Sequence, residues 1–196
     1  GLLHAIAGVF LFLEERMKHT QVTLAPLSAE DREQFILDNQ WAFLHGALME
    51  FGVRDEHINE DGEIISRKTI EACIDNESAE TYRIVVEGRA VGGLILQLNR
   101  EQNEGELDIL FVKPEEHGRG IGYGAWKAVE ALHPHVRVWR TCTPYFDKRN
   151  IHFYVNKCKF QIDEFWCEYY KPSREMPDEE HDEGPDEMFS FIKVLE

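Results

Sequence analysis

Residues 105–126 read GELDILFVKPEEHGRGIGYGAW. Leu107 to Val112 is an apolar, strand-like run, broken by Lys113-Pro114 and two acids. Glycine then stands at every second position: Gly118, Gly120, Gly122 and Gly124. Beyond it, Trp126, Val129, Glu130 and Leu132 follow a helical pattern. Strand, glycine turn and helix start is the order that offers backbone N–H groups to a phosphate, with the helix dipole behind them. Glycine lets the backbone approach such a ligand with no Cβ in the way.

Outward from this stretch the chain alternates strands and helices. Gln21–Leu27 alternates apolar and polar residues and reads as a first strand. Ser28 with Asp31 makes a capping box ahead of a helix that runs to about Phe51. Leu37, Trp41, Leu44, Leu48 and Phe51 lie at four–three spacing on one face of it. Ser66 caps a shorter helix whose apolar side is Ile70, Cys73 and Ile74. Tyr82–Val86, Glu87-Gly88 and Val91–Leu98 form a hairpin, and Asn99–Gly105 turns into the strand quoted above. His133-Pro134-His135 stops the helix after the glycine loop. Val136–Thr141 is a strand, Lys148–Cys158 a short helix, Phe160–Tyr169 a long strand and Met188–Leu195 the last strand. The order is that of an α+β sheet with helices on its faces.

The chain has 196 residues, enough for one domain with a substantial core. At 43% hydrophobic and 30% charged its composition is that of a soluble globular protein. A net charge of −16 argues against a nucleic-acid partner, whose phosphates need Lys and Arg. The same charge suits a cationic partner or a small amine, although solubility alone accounts for most of it. Cys73, Cys142, Cys158 and Cys167 show no CxxC pairing and read as reduced core thiols of a cytoplasmic protein. Residues 1–13 are apolar but too short to span a bilayer, which takes about 20 residues. They lack the marks of a signal peptide, and Met17 reads like a natural start. Residues 1–16 are therefore expected to be a helical extension packed on the domain or on a partner chain, or else not native. Residues 173–187 hold eight acids, one Arg and two Pro and read as a solvated loop.

Three phosphate loops compete for the glycines. Gly120, Gly122 and Ala125 fit the dinucleotide pattern G-x-G-x-x-A. A dinucleotide strand, however, runs straight into its glycines and needs an acid on the next strand. Here Lys113 to His117 intervene, and the next strand ends Arg140-Thr141-Cys142. A P-loop needs Gly-Lys-Ser/Thr, which does not follow. Strand, V-x-P and then His117-Gly118-Arg119-Gly120-Ile121-Gly122 resembles motif A of the GNAT superfamily of acyl-CoA-dependent N-acyltransferases, with His117 where Gln or Arg is usual. The resemblance extends over residues 20–196. TPYFDKRNIHFYVNKCKF looks like the N…FY…GF segment of the same superfamily, with Lys159 where Gly is common. Tyr154 lies six residues before Phe160, one more than usual, which sets Val155 at the usual Tyr position.

The resemblance implies a mixed, largely antiparallel seven-stranded sheet flanked by four helices, spanning 17–196. It implies that the backbone of 118–122 binds the CoA pyrophosphate, with Arg119 as an added charge. It also implies that Leu110, Phe111 and Val112 pair with the pantetheine arm, and that Asn150 contacts the same arm. Acyl transfer to an amine needs a base for the amine proton and gains from an acid at the leaving thiolate. Glu106 and Asp108, on one strand face with Leu110, are the candidate bases. Tyr154 is the candidate acid and Tyr145 the second. His117, His133 and His135 have no Cys or carboxylate at ligand spacing, so no metal is expected. The acidic loop 54–63 would face a cationic amine. These features together read as a cytoplasmic N-acetyltransferase using acetyl-CoA and a small-molecule or peptide amine, with no nucleic-acid or membrane partner. The second reading is a CoA-binding sensor or interaction module without turnover. A structural homodimer formed through residues 1–16 is the third.

Overall fold

The computed structural model describes residues 21–51, 62–171 and 187–195. The expected extension 1–16, most of the acidic loop 54–63 and nearly all of 173–187 lie outside them. Seven strands make one sheet in the order β1-β2-β3-β4-β5-β7-β6. They are β1 (Val22–Pro26), β2 (Ala79–Val86), β3 (Arg89–Asn99), β4 (Glu104–Val112), β5 (Val138–Pro144), β6 (Gln161–Trp166) and β7 (Met188–Val194). Only β4 and β5 run parallel. The helices are α1 (Arg32–Phe51), α2 (Arg67–Asp75), α3 (Ile121–Leu132) and α4 (Lys148–His152), the last continued by a π turn, Phe153–Lys157. Among the described residues, the expected α+β class, seven strands and four helices form.

Each sheet face carries its own core. Leu94, Leu96 and Leu107 pack with Trp126 of α3, Trp139, Tyr154 and Phe191 on one side. Ile95, Ile109 and Phe111 pack with Phe35 and Ile36 of α1 and Ile70 of α2 on the other. Leu107 and Ile109 would share a face in a regular strand. They do not, because Ile95 pairs with Ile109 while Leu96 pairs with Leu107, which leaves Asp108 as the extra residue of a bulge. The bulge corrects one expectation. Glu106 and Asp108 stay on the α1–α2 side, but Leu110 is turned to the α3 side.

The expected apolar face of α1 is also corrected. Phe35, Ile36 and Ala42 face the sheet, whereas Leu37 and Trp41 are 47% and 53% exposed. The rotation is set from outside the helix. Arg83, buried in β2, holds Asp31 at 2.5 Å and Asp38 at 2.8 Å, and stands 5.2 Å over the Phe35 ring. Lys113 adds a third contact to Asp38 at 3.0 Å. Breaking a buried ion pair costs about 3–5 kcal/mol, and the rotation that keeps Arg83 on Asp38 turns Phe35 and Ile36, not the four–three stripe, to the sheet. Asp31 is thereby used on Arg83, and Ser28 makes no side-chain cap bond, so the predicted capping box does not form. Ser66 does cap α2, accepting from the Thr69 N–H at 3.0 Å. Of the four free cysteines only Cys158 is buried, which narrows the expectation of core thiols.

Where α1 crosses β3, a Cβ on Gly93 would lie 2.3 Å from Phe35 and 2.8 Å from Phe111. Both rings are fully packed, so neither can yield without moving the other. Gly93→Ala is expected to destabilise the fold by about 1–3 kcal/mol and lower Tm by several degrees, read by thermal melting. An unchanged Tm would show that α1 is loosely seated.

His133 caps the C-terminus of α3 and is buried. Its Nε2 makes no hydrogen bond, and the Glu80 carboxylate stands 3.5 Å away. Burial pushes its pKa below the ordinary imidazole value, with Glu80 pulling the other way. The native state therefore holds His133 neutral, while the unfolded chain protonates it as pH falls through about 6.5. Stability contributed by this group is present above that pH and is lost as pH falls toward the native pKa. The Tm of the native chain is expected to drop more between pH 7 and pH 5 than that of His133→Gln. Equal drops would remove His133 from the acid response.

Candidate active site

The β4–β5 ladder consists of Glu104–Val138, Gly105–Trp139 and Glu106–Arg140. Beyond those pairs the two strands part. The Lys113 N–H donates toward β3, to the Val91 carbonyl at 2.8 Å. Backbone groups alternate along a strand, so the N–H and C=O of Val112 and Leu110 point the other way, into the opening. No β5 residue pairs with them there. His117 Nε2 takes one lone pair of the Val112 carbonyl at 2.8 Å, and the rest of this edge has the spacing that suits an extended chain carrying amides. Phe111, expected with these two, differs: its backbone pairs with Gly93 and its ring lies in the core.

The glycine loop closes one end of the opening. Gly118 and Gly120 have φ of +78° and +72°, in the left-handed region. Gly120 is the N-cap of α3, and the first helical bond is Gly124 N–H to the Gly120 carbonyl at 3.0 Å. The N–H groups ahead of Gly124 therefore lack helical acceptors and form an anion seat. Among the described residues, chain neighbours apart, no atom lies within 4 Å of a Cβ built on Gly118 or Gly120. Gly124 serves packing instead, since its Cβ would meet Val22 of β1 at 2.8 Å. The Ile121 side chain is buried in the α3-side core. Arg119 donates to the buried Glu116 carboxylate, which Arg89 also approaches at 3.4 Å. His117 Nε2 is 2.8 Å from the Val112 carbonyl and its Nδ1 is 3.0 Å from Arg149 Nη2. A carbonyl only accepts, so Nε2 carries the hydrogen and Nδ1 accepts from Arg149. Burial, then Arg149 and His45, push the His117 pKa below the ordinary value, against the Val112 bond and Glu115.

The catalytic candidates lie around the point where the strands part. Glu106 belongs to the last ladder pair and lines a cavity of about 750 Å³ with Gln97, Glu80, Glu104, Arg100 and Arg140. Asp108, at the bulge, accepts from Gln97 Nε2 at 2.6 Å, and the same amide donates to the Cys73 carbonyl of α2 at 3.0 Å. Tyr154 is 7% exposed, packed against Phe160 and Phe191. The π turn accounts for its off-pattern spacing. The Cys158 N–H reaches the Phe153 carbonyl, five residues back, so one extra residue is absorbed and Tyr154 is the buried side chain, with Val155 half-buried against the same core. Burial pushes the Tyr154 phenol above its usual range, opposed by its contact with the Thr141 hydroxyl. Thr141 itself donates to the Leu107 carbonyl at 2.9 Å, bridging β5 and β4 just past their last pair. Asn150 donates from its side chain to Thr143 of β5 at 3.2 Å. Tyr145 is exposed. Sequence reasoning missed Thr141, Gln97 and Arg149. A lone Gln inside the apolar run Val91–Leu98 was the one available signal. No group of three or more metal-ligating side chains stands together among the described residues.

Comparison with known proteins agrees with this geometry. Residues 33–160 match the acetyltransferase (GNAT) family. The chain is 37% identical over 179 residues to the uncharacterized protein YrkN of Bacillus subtilis (strain 168), covering 89% of this chain and 94% of that one. The PaiA N-acetyltransferase of Thermoplasma acidophilum, solved with coenzyme A, superposes with a TM-score of 0.61 at 17% identity, over 89% of this chain and 99% of that one. The spermidine N-acetyltransferase of Vibrio cholerae, solved with CoA and spermine, gives 0.61 at 12% identity, over 90% and 96%. At those identities the superpositions establish the shared fold, while the family match and the sequence relative establish descent. The chain belongs to the acetyltransferase (GNAT) family, and its chemistry is acyl transfer.

Proposed function

We propose that this acyltransferase is a cytoplasmic N-acetyltransferase that moves an acetyl group from acetyl-CoA directly to a primary amine of a small molecule or peptide. The observation that carries the donor half is the opening past Glu106–Arg140, edged by the outward-facing backbone of Leu110 and Val112 and headed by the α3 anion seat. Those groups suit a ligand with amides along an arm and a diphosphate at its end. The activated acyl group is supplied by the thioester. Asn150, on the first turn of α4, is the side-chain contact for the arm.

The acceptor half rests on charge. A lysine-like amine has a pKa of about 10.4 and arrives protonated, so the site must take a proton before the amine can attack. Glu106, in the last β4–β5 pair, lines the cavity beside the β3–β4 turn and is the better-placed base. Asp108, tied to Gln97, shapes the bulge beside it. Tyr154 keeps its proton at neutral pH, and its O–H, which the Thr141 hydroxyl accepts in the free protein, turns to the leaving thiolate as a hydrogen-bond donor. A thiolate whose thiol has a pKa of about 8.5 is too weak a base to take the proton fully from such a phenol. The net charge of −16 and the carboxylates around the cavity favour a cationic acceptor, and the polyamine bound by the Vibrio cholerae neighbour is of that class.

Release of free CoA thiol from acetyl-CoA across a panel of polyamines, small amines and peptides tests the reading. Amine-dependent release is the expected result. Thermal stabilisation by acetyl-CoA without release on any amine would move the chain to a CoA-binding module. No stabilisation at millimolar acetyl-CoA would sink the donor reading.

A further inference from the structure

We infer that the outer face of α1 is a docking surface for a second copy of this chain, and that two copies pair there antiparallel about a two-fold axis. Leu37, Trp41, Leu44 and Leu48 stand on the side of the helix turned away from Phe35, Ile36 and Ala42, which serve the sheet. Leu37, Trp41 and Leu48 are exposed and Leu44 is half-buried. Their spacing of four, three and four is that of a coiled-coil seam, an apolar stripe that packs against a second helix. A tryptophan is the kind of rigid anchor that carries the centre of an interface.

Pattern and charge together select the occupant. Four–three–four reads the same in both directions along the helix. With a two-fold axis at the level of Ala42 and Phe43, Leu37 of each copy meets Leu48 of the other, and Trp41 meets Leu44. The same patch then serves both sides, as an isologous interface requires. This register sets the one large ring against a leucine, whereas a parallel pair would stack ring on ring and leave gaps elsewhere. Two chains of net charge −16 repel at range, so copies can meet only where carboxylates are absent. From Gln34 to Met49 the one Asp, Glu, Lys or Arg is Asp38, which is buried and held by Arg83 and Lys113. At the start of the helix Arg32 pairs with Asp75, and Glu33 with Arg67, so the charges at this rim are already matched within the chain. A basic partner drawn by the field of the chain would meet no acid on this seam; the face it fits is another uncharged, apolar one. From Leu37 to Leu48 the seam is about 16 Å long, which places the contact at the small end of specific interfaces and makes it reversible on dilution.

Sedimentation velocity of the full chain from about 1 μM to about 100 μM is expected to show monomer giving way to dimer. Trp126, Trp139 and Trp166 are buried, so acrylamide quenching of tryptophan emission reads Trp41, and it should fall over the same range. Trp41→Glu should weaken association at least about a hundredfold, because the anchor is lost from both copies, and should keep the Tm of the dilute native chain. Leu44→Lys should also be monomeric. An equal mixture of the two variants should recover a dimer, since the antiparallel register sets the new glutamate against the new lysine in one layer and leaves the native pair in the other. No recovery from two folded variants would overturn the antiparallel register. If Leu44→Lys does not fold, Trp41→Glu alone decides whether α1 is the interface. A dimer that survives Trp41→Glu would overturn the inference. So would a native chain that stays monomeric: with Trp41 shielded from acrylamide, another part of the same chain covers the seam, and with Trp41 open, the seam is left to a different protein.

Discussion

Gly120→Val is expected to bind CoA at least about a hundredfold more weakly than the native chain while keeping its fold. Gly120 has φ of +72°, which a β-branched residue scarcely adopts. Holding valine there costs about 1–2 kcal/mol, a fraction of a typical stability of about 5–15 kcal/mol. Among the described residues, chain neighbours apart, no atom lies within 4 Å of the new Cβ, so the described fold offers nothing to clash with. The damage falls on the anion seat. A backbone that relaxes toward negative φ swings the N–H groups at the head of α3 off their common focus, and one that does not relax presents two methyl groups to the phosphate. Two charge-assisted N–H contacts are worth about 1.5–3 kcal/mol each, which sets the hundredfold floor. Gly124→Ala is the control, because its Cβ would press on Val22 at 2.8 Å. That variant should lose Tm and keep affinity. Calorimetric CoA titration with thermal melts of both variants checks the pair, and native affinity in Gly120→Val would mean the loop is not the phosphate seat.

What was legible in the chain beforehand follows from how local each signal is. The strand at Leu107–Val112 and the loop at Gly118–Gly122 are written in adjacent residues, through apolar content, a proline break and glycines that φ demands. Their order around α3 and β5 was enough to point to the family. The facing of Leu110 was not legible, because the bulge at Asp108 exists only in the register against β3. The rotation of α1 was not legible either. It depends on Arg83, 52 residues beyond Asp31, and a four–three stripe says nothing about a distant cation. The π turn showed only as one residue too many between Tyr154 and Phe160, a count that could not say which side chain turned inward. His117 looked like a departure from the motif, and its partners Val112 and Arg149 come from a strand end and a helix that only the fold brings together.

Glu106→Gln is expected to lower kcat by about a hundred- to a thousandfold with little change in the affinity for CoA. Glutamine keeps the size of the side chain and its place in the last β4–β5 pair, Glu106–Arg140, so the opening should survive. It cannot take a proton from an ammonium acceptor. The deficit should shrink as pH rises toward the amine pKa of about 10.4, because the amine then arrives already neutral. A variant that had merely lost its shape would show the deficit at every pH. Asp108→Asn gives the contrast. Asp108 accepts from Gln97, whose amide also reaches the Cys73 carbonyl, and asparagine keeps an accepting oxygen there without the charge. The weaker bond should lower Tm slightly and leave kcat nearly unchanged. Thiol-release rates from pH 7 to pH 10, measured on both variants with saturating donor, separate the two roles. If Asp108→Asn carries the pH-dependent deficit and Glu106→Gln does not, the base is the bulge residue. If neither does, the amine loses its proton to a group outside this strand, and the cavity at Glu106 serves only to gather a cation.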